Sequence, residues 1–528
     1  MAGGLLNLVS HGQENVLLFG NPQKTYFKTV YKKTTNFGLQ KFRVDFEGSR
    51  VLHTNTETKM EFKIPRYADL LYDSYLVINI PDIWSPLYQD ASGDWVEYGF
   101  KWIDELGSNL IKELEILAGG QILGKYSGEY FANAVHRDYN NTKIDLWNRM
   151  TGNVDELNDP ANAFTRVNMY PNAFYTGSNN IRPSIRGRKL YIPIDAWFGQ
   201  LASNAFPLIS MQYMSLTFMI TFRSIKDLYT LRDVTDKTNN YPYVAPDINN
   251  SLFTLRRFLA PPTDTSGNNG NQNDNWNADI HILSNYVFLD TEERQVFSRN
   301  NQEYLIKEVY EWDLPNTTGS SVVEFDTRGL VSNYMFRFRR SDANLRNTWS
   351  NYTNWPYNYL PYEITNTGSP DPFLFITGNY TSDNFLQNDK NILLDMAIML
   401  DGKYRENTLD GQIYNYVEKY KRTDGAAKDG LYLYSFALNT TNNTYQPSGA
   451  MNLDRFDKIQ FEINTIEPPR NPSASSAIVD ICDVNGDIIG VRKNVWDLNE
   501  YNYDLTIFEE RYNVLMFQGG MVGLKYAR

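Results

Sequence analysis

The stretch Leu117 to Tyr130, "LAGGQILGKYSGEY", holds the residues most suggestive of chemistry. Gly119, Gly124 and Lys125 stand at the spacing of G-x-x-x-x-G-K-[ST], the loop whose backbone amides cradle phosphates. The next position is Tyr126, where a Mg²⁺ ligand needs a small hydroxyl. The preceding "IKELEIL" alternates charged and apolar residues, unlike the continuous apolar strand of a parallel nucleotide-binding sheet. Ala118-Gly119-Gly120 therefore reads as a hairpin turn, because glycine supplies positive φ without strain. The Walker-B-like "ILLD", Ile392 to Asp395, is too common a string to rescue the site.

Other constellations fall short too. "HRD", His136 to Asp138, would need an Asn five residues after the Asp to serve as a kinase catalytic loop; Lys143 stands there, with no glycine-rich loop elsewhere. "DVNGD", Asp483 to Asp487, lacks the full ligand spacing and distal Glu of a Ca²⁺ loop and reads as a hairpin turn. The four histidines, His11, His53, His136 and His281, form no i,i+4 pair, so no metal site is expected. There is no G-x-S-x-G, and Cys482 has no local nucleophile signature. A carboxylate pair brought together by folding, as in glycosidases, stays open among 62 acidic residues. No catalytic residue, cofactor-binding residue or metal ligand is assigned, and the chain reads as a non-enzyme.

The elements that would position such residues are strands. Of 528 residues, 42% are hydrophobic and 14% aromatic, with 37 Tyr, a balance that favours strands joined by polar turns. The length calls for two or more domains. Net charge is -12 and pI about 5.0, which argues against a protein that coats nucleic acid. One basic cluster stands out near the N-terminus: Lys24, Lys28, Lys32, Lys33, Lys41 and Arg43. A single cysteine allows no intrachain disulfide. The opening "MAGGLLNLVSHG" lacks the basic and long apolar regions of a secretory signal, and no apolar run approaches the roughly 18 residues of a membrane span. Folding in a reducing cytoplasm is expected.

Strands are expected at 57–64, 75–80, 112–118 and 215–222 in a first half, and at 281–289, 303–312, 333–340, 431–438 and 458–465 in a second. In "NYMFRFRR", Tyr334, Phe336 and Phe338 share the parity of a core face; Arg337 and Arg339 share the other and are expected to face water, with Met335 the exception. Polar sequence between residues 231 and 277 reads as the link between the halves. The loops at 138–185, 341–385 and 401–430 are expected to project outward or to knit copies together. Seven N-x-[ST] triplets, at Asn140, Asn249, Asn316, Asn351, Asn379, Asn439 and Asn442, are candidate glycan positions and mark expected exposed loops, although an Asn-rich chain produces such triplets by chance.

Longer motifs carry a resemblance. "GNPQKTYFKTVYKKTTNF" (20–37) resembles the N-terminal signature of the major capsid proteins of nucleocytoplasmic large DNA viruses, with Gly20-Asn21-Pro22-Gln23, Thr25-Tyr26-Phe27-Lys28, Val30-Tyr31 and Thr35-Asn36-Phe37 as counterparts. "ELEILAGGQILGKYSGEY" looks like that family's strand-Gly-Gly-Gln segment. "LYIPIDAWFGQLASNAFPLISMQY" (190–213) is similar to its Ile-Pro and Pro-Leu segment, with Asn204 where a small residue is common. "YSFALNTTNNTYQPSGAMNLDRF" carries its Pro-Ser-Gly signature at Pro447-Ser448-Gly449, with Asn452, Arg455 and an Asp454 in place of the usual Ser. "YNVLMFQGGMVGLKYA" resembles family C-termini, and "FKIPRYADLLYDSYLVINIPDIWSP" points to the mimivirus-like and algal-virus branch.

The resemblance implies an all-β double jelly roll: two consecutive eight-stranded antiparallel β-sandwiches with long surface loops and a few short helices. The expected division is an N-terminal arm at 1–25, a first jelly roll at 26–230, a linker at 231–277 and a second jelly roll with C-terminal extension at 278–528. It implies a structural role: homotrimers tiling the icosahedral outer shell of a virion assembled in host cytoplasm. The partners implied are further copies of the chain, minor capsid proteins and a membrane under the shell, with no direct nucleic acid and no cofactor. Lys24, Lys28, Lys32 and Lys33 are the candidate inner-face contacts. The competing classes are a minor capsid or scaffold homologue and a carbohydrate-binding or carbohydrate-processing β-sandwich.

Overall fold

The computed structural model describes residues 3–526 apart from 47, 49, 167–168, 174–181, 237–240, 242, 263–273, 355–389, 442–445, 469–479, 483–487 and 492–500. Its strands follow from two-residue alternation. Along β2 (Thr58–Ile64), Thr58, Met60, Phe62 and Ile64 are buried while Lys59, Glu61 and Lys63 are exposed. The first sandwich adds β1 (Phe37–Val44), β3 (Leu70–Ile80), β4 (Ile111–Ala118), β5 (Gln121–Tyr126), β6 (Arg188–Pro193), β7 (Leu216–Phe222) and β8 (His281–Leu289). One sheet runs β1-β8-β3-β6 and the other β2-β7-β4-β5, with every neighbour antiparallel.

The second sandwich contains β9 (Gln302–Leu314), β10 (Ser320–Glu324), β11 (Leu330–Arg340), β12 (Leu393–Leu400), β13 (Lys403–Asp410), β14 (Leu431–Ser435), β15 (Ile459–Thr465) and β16 (Tyr503–Gln518). Its sheets run β9-β16-β11-β14 and β10-β15-β12-β13. Counted from each sandwich's first strand, both halves have the order 1-8-3-6 over 2-7-4-5. The jelly roll is thus built twice, by two sequences without evident identity. The second core is aromatic: Phe325, Tyr334 and Phe461 meet edge-on, with ring centroids 4.9 to 5.8 Å apart.

The structure corrects several sequence expectations. Strand β8, expected in the second half, completes the first sandwich. It pairs with β1 from Phe37↔Leu289 to Val44↔Ile282, and it joins β3 through a buried Ser74–Ser284 hydroxyl contact of 2.8 Å. Residues 231–277 are therefore not a link between the sandwiches. They are the crossover from β7 to β8 and bury Val234, Phe253, Leu255 and Phe258. Polar composition hid these few apolar anchors. The passage between sandwiches is 290–301, containing the helix Thr291–Arg299. The N-terminal arm also runs longer than expected, because β1 begins only at Phe37 and residues 26–36 are exposed.

The glycine stretch is a hairpin. Gly119 and Gly120, at φ 56° and 88°, close the turn between β4 and β5. Lys125 lies on β5 and pairs across to Glu113 on β4 at 2.7 Å. The chain then enters two helices, α1 (Gly128–Asp138) and α2 (Asn141–Thr151), capped by the side chains of Ser127 and Asn140. Gly128 sits so close to the backbone of Ser108 and Ile111 that a Cβ would overlap both carbonyl oxygens. A Cβ at Gly120 would meet nothing. Gly120→Ala should therefore cost only the left-handed backbone strain, about 1 kcal/mol. Gly128→Ala should cost about 2–3 kcal/mol or more through overpacking. Urea unfolding of the two variants measures the difference, and equal costs would refute the packing of α1 described here.

Candidate functional site

Helix α1 is the wedge between the sandwiches. Nearly all its side chains are buried, including Glu129, Asn133, Arg137 and Asp138. Its partners lie on the sheet face that β11 and β16 turn away from the second core. Alternation on β11 sends Tyr334, Phe336 and Phe338 into the second core and Met335 into the first. Arg337 follows Met335. It does not face water: it is 1% exposed and makes a two-pronged contact with Glu129, at 2.6 and 3.1 Å. Arg339, half-buried, reaches the same carboxylate at 3.4 Å and the Trp349 carbonyl at 3.3 Å. The sheet has a protein partner on both faces, so charge at alternate positions marks a junction rather than a solvent face.

On β16 the same logic produces a buried acid. Glu510, with no exposed surface, receives Arg137 at 2.7 Å, Lys307 at 3.3 Å, the Tyr130 hydroxyl at 3.0 Å and the Asn333 amide at 2.9 Å. Arg137 is also gripped by its neighbour Asp138, at 2.9 and 2.7 Å, and donates to Asn333 at 3.2 Å. Asp138 in turn accepts from Thr440 at 2.8 Å. Beside this set, Glu105 contacts Lys428, lies 3.2 Å from His136 and accepts from Ser350 at 2.9 Å. Burial alone would push the Glu510 carboxyl up, but Arg137, Lys307 and the Asn333 hydrogen bond outweigh it and hold the group at about 2. Glu105 is likewise held at about 2, where Lys428 and His136 overcome burial. Glu129 is kept well below the usual carboxylate range by Arg337 and Arg339, against its own desolvation.

Two loops expected to project outward or to knit copies together lie, over part of their length, against the junction of one chain. Asn347 donates to the carbonyls of Lys226 and Tyr229, and the Trp349 indole donates to Asp227 at 2.9 Å. The amides of Gly425 and Ala427 cap the last turn of α1 at the carbonyls of Arg137 and His136. The "HRD" residues are thus the C-terminal grip of α1.

A cleft of about 750 Å³ opens beside α1. Its lining holds five basic side chains, Lys112, Lys125, Arg223, Arg337 and Arg339, and five acidic ones, Glu113, Glu129, Glu308, Glu311 and Asp313. That balance offers a phosphate no net positive basin, and Lys125 already serves Glu113. "DVNGD" at 483–487 lies outside the described residues; the short strands Asp480–Cys482 and Ile488–Val491 on either side of it pair antiparallel.

Among the candidate glycan positions, Asn140, Asn249 and Asn316 are exposed, and Asn439 is half-buried with its side chain accepting from the Thr441 amide at 2.8 Å. Asn351 is 8% exposed, covered by the chain's own fold, so it is not the exposed loop position expected. Asn379 and Asn442 lie outside the described residues. Lys24, Lys28, Lys32 and Lys33 all sit on the exposed arm, apart from the junction. Sequence reasoning missed the junction residues Glu129, Arg137, Glu510 and Lys307. The one signal for them was adjacent charges, Glu509-Glu510-Arg511, inside an otherwise apolar run.

Two family descriptions cover most of the chain: "Major capsid protein N-terminus" over residues 25–290 and "Large eukaryotic DNA virus major capsid protein" over residues 293–523. The chain is 27% identical to the major capsid protein of Paramecium bursaria Chlorella virus 1 and 23% identical to that of Phaeocystis pouchetii virus, each over all of both chains. In three dimensions it is similar to a PBCV-1 virus capsid structure, with TM-score 0.63, 22% identity and coverage of 96% of this chain and 100% of that one. It is also similar to the Faustovirus major capsid protein, with TM-score 0.60, 12% identity and coverage of 94% and 93%. The two structural likenesses speak to the double jelly-roll fold.

Arg137→Met should destabilise the protein by about 3–5 kcal/mol at neutral pH, because it leaves Glu510 buried with too little positive charge. The pH response has a definite sign. Glu510 and Glu105 titrate at about 2 in the folded chain, below the ordinary carboxylate value of about 4.3. Their contribution is fully present above that ordinary value and is lost as pH falls through about 2. Glu510→Gln should lower stability at pH 7 and flatten its decline between those limits. Urea midpoints across that range, with an unchanged slope in the variant, would remove Glu510 from this role.

Proposed function

The chain belongs to the family of major capsid proteins of large eukaryotic DNA viruses, and from that premise we propose that it is the repeating block of an icosahedral outer shell. One observation carries the reading: a single chain holds two sandwiches of identical strand order, locked together by α1. Each copy therefore presents two similar lobes at a fixed angle. Three copies around a threefold axis would present six, which is what hexagonal tiling requires of a trimer.

Its partners in this reading are other copies of itself, within the trimer and between capsomers, and minor capsid proteins beneath them. It resides in the virion after synthesis in host cytoplasm. Its function is structural, and the work is done by buried area rather than by chemistry at a site. The exposed Asn140, Asn249 and Asn316 are the described candidate triplets with room for a glycan without unfolding. A minor capsid or scaffold homologue would share the fold and differ in stoichiometry.

Light scattering on the purified chain tests the reading. The expected species is a trimer of the 61.1 kDa chain that forms sheet-like arrays at high concentration. A stable monomer, above all one that cleaves glycosidic bonds, would overturn it.

A further inference from the structure

The arm that precedes β1 departs from the rest of the molecule in charge and in exposure. From Gly3 to Asn36 there are four Lys and one acid, Glu14, a net of +3, which leaves the remainder of the chain at -15 when that +3 is taken from the net -12. Residues 3–36 are all exposed except Asn15, which is half-buried. The exposed residues include large apolar side chains: Leu17 85%, Leu18 82%, Tyr26 86%, Phe27 99%, Val30 80% and Tyr31 79%. Water is a poor final environment for so much contiguous apolar surface.

The sequence of the arm specifies what would suit it. Residues 24–33 form no helix or strand in the structure. Plotted at the helical period, however, Tyr26, Phe27, Val30 and Tyr31 fall within an arc of about 140°, and Lys24, Lys28, Lys32, Lys33, Thr25 and Thr29 occupy the rest. An apolar stripe flanked by lysines and free of acid is the pattern of a helix lying in the plane of an anionic lipid surface. Upstream, the helix Gly3–Val9 and the turn Val16–Phe19 add exposed Leu5, Leu6, Leu8, Val16 and Phe19. Apolar insertion and a polybasic stretch are the two signals that together hold a protein on a membrane. No described helix is long and apolar enough to cross one, so the contact would be with the surface.

We infer that residues 3–33 form a peripheral anchor for an anionic lipid bilayer, in which 24–33 folds into an amphipathic helix on contact. Charge favours this occupant over an apolar groove on a neutral protein. Four lysines on one segment need a dense negative field, and the -15 body holds its own acids in part in ion pairs, such as Asp45 and Asp279 with Arg43.

The test uses the full chain in flotation with phosphatidylcholine vesicles, with and without about a third phosphatidylserine. The expected result is binding to the anionic vesicles only, loss in high salt, and a gain in circular-dichroism helicity of about ten residues on binding. Replacing Lys24, Lys28, Lys32 and Lys33 together by Glu should reduce partitioning by about a hundredfold or more. Phe27→Ser with Tyr31→Ser should abolish both binding and the helicity gain while leaving the charge intact. Lys63→Glu on the sandwich surface should change neither. Because the arm lies outside both sandwiches, trimer mass and urea midpoint should stay unchanged in every arm variant, which separates failure of this inference from failure of the shell reading. Equal binding to neutral vesicles, or lysine variants that still float, would overturn the anchor. Arm variants that lose self-association while lipid binding is absent would assign the arm to a second copy of the chain and overturn it equally.

Discussion

The buried Arg137–Glu510 contact fixes the relation between the two halves, and the architecture depends on that relation. A shell is a problem of angles: a small rotation of one sandwich against the other in each copy would accumulate over many copies. The hydrophobic effect is non-directional, so burial of apolar area alone does not select one orientation. A charge pair without access to water does, because moving either partner leaves a desolvated ion uncompensated. Around Glu510 the chain places Arg137, Lys307, Tyr130 and Asn333, and around Glu129 it places Arg337 and Arg339. Each carboxylate therefore has its lone pairs committed in one arrangement only. In net stability such a set can be worth little more than well-packed leucines. Its worth lies in orientation, and orientation is what a tiling protein needs most.

The same junction explains why the two sandwiches are not independent units. The apolar cluster of the first sandwich continues through Tyr130 and Phe131 to Met335, Phe508, Leu515 and Phe517 of the second. Tyr130 and Phe508 place their rings 6.0 Å apart. The first sandwich also closes late along the chain. Strand β8 must return across about 60 residues from β7 to insert between β1 and β3. Loop closure of that length costs little equilibrium stability but slows assembly. The crossover earns its order by burying Val234, Phe253, Leu255 and Phe258 on the way.

How much of this was legible in the sequence depended on what each strand faces. Where one face meets core and the other meets water, the code is plain: β2 and β15 read correctly because Phe62 and Phe461 alternate with polar or charged neighbours. The Gly119-Gly120 turn was legible because positive φ has few other residue solutions. Reading failed where both faces meet protein. Strand β11 places Arg337 opposite Glu129, and β16 buries Glu509, Glu510 and Arg511 in mid-strand. A charged residue in a strand has two physical explanations, water or a buried counter-charge, and a single sequence does not say which. For Arg337 and Glu510 the counter-charges, Glu129 and Arg137, are about 200 residues away or more, on a helix whose "HRD" suggested something else.

That ambiguity has a direction. Residues that one sequence labels as surface become interior whenever a second layer covers the sheet, so charge at a buried junction is systematically mistaken for solubility. The converse error arises on the arm, where Tyr26, Phe27, Val30 and Tyr31 look like core residues and are fully in water. Both errors come from assuming that a chain supplies all of its own environment. Within the chain, the second sandwich supplies the environment of Glu129. Among the described residues none does so for the arm, since Gly3 through Asn36 is exposed but for Asn15. A sequence that spends apolar and basic residues there, on a body of opposite charge, is specifying a surface outside itself.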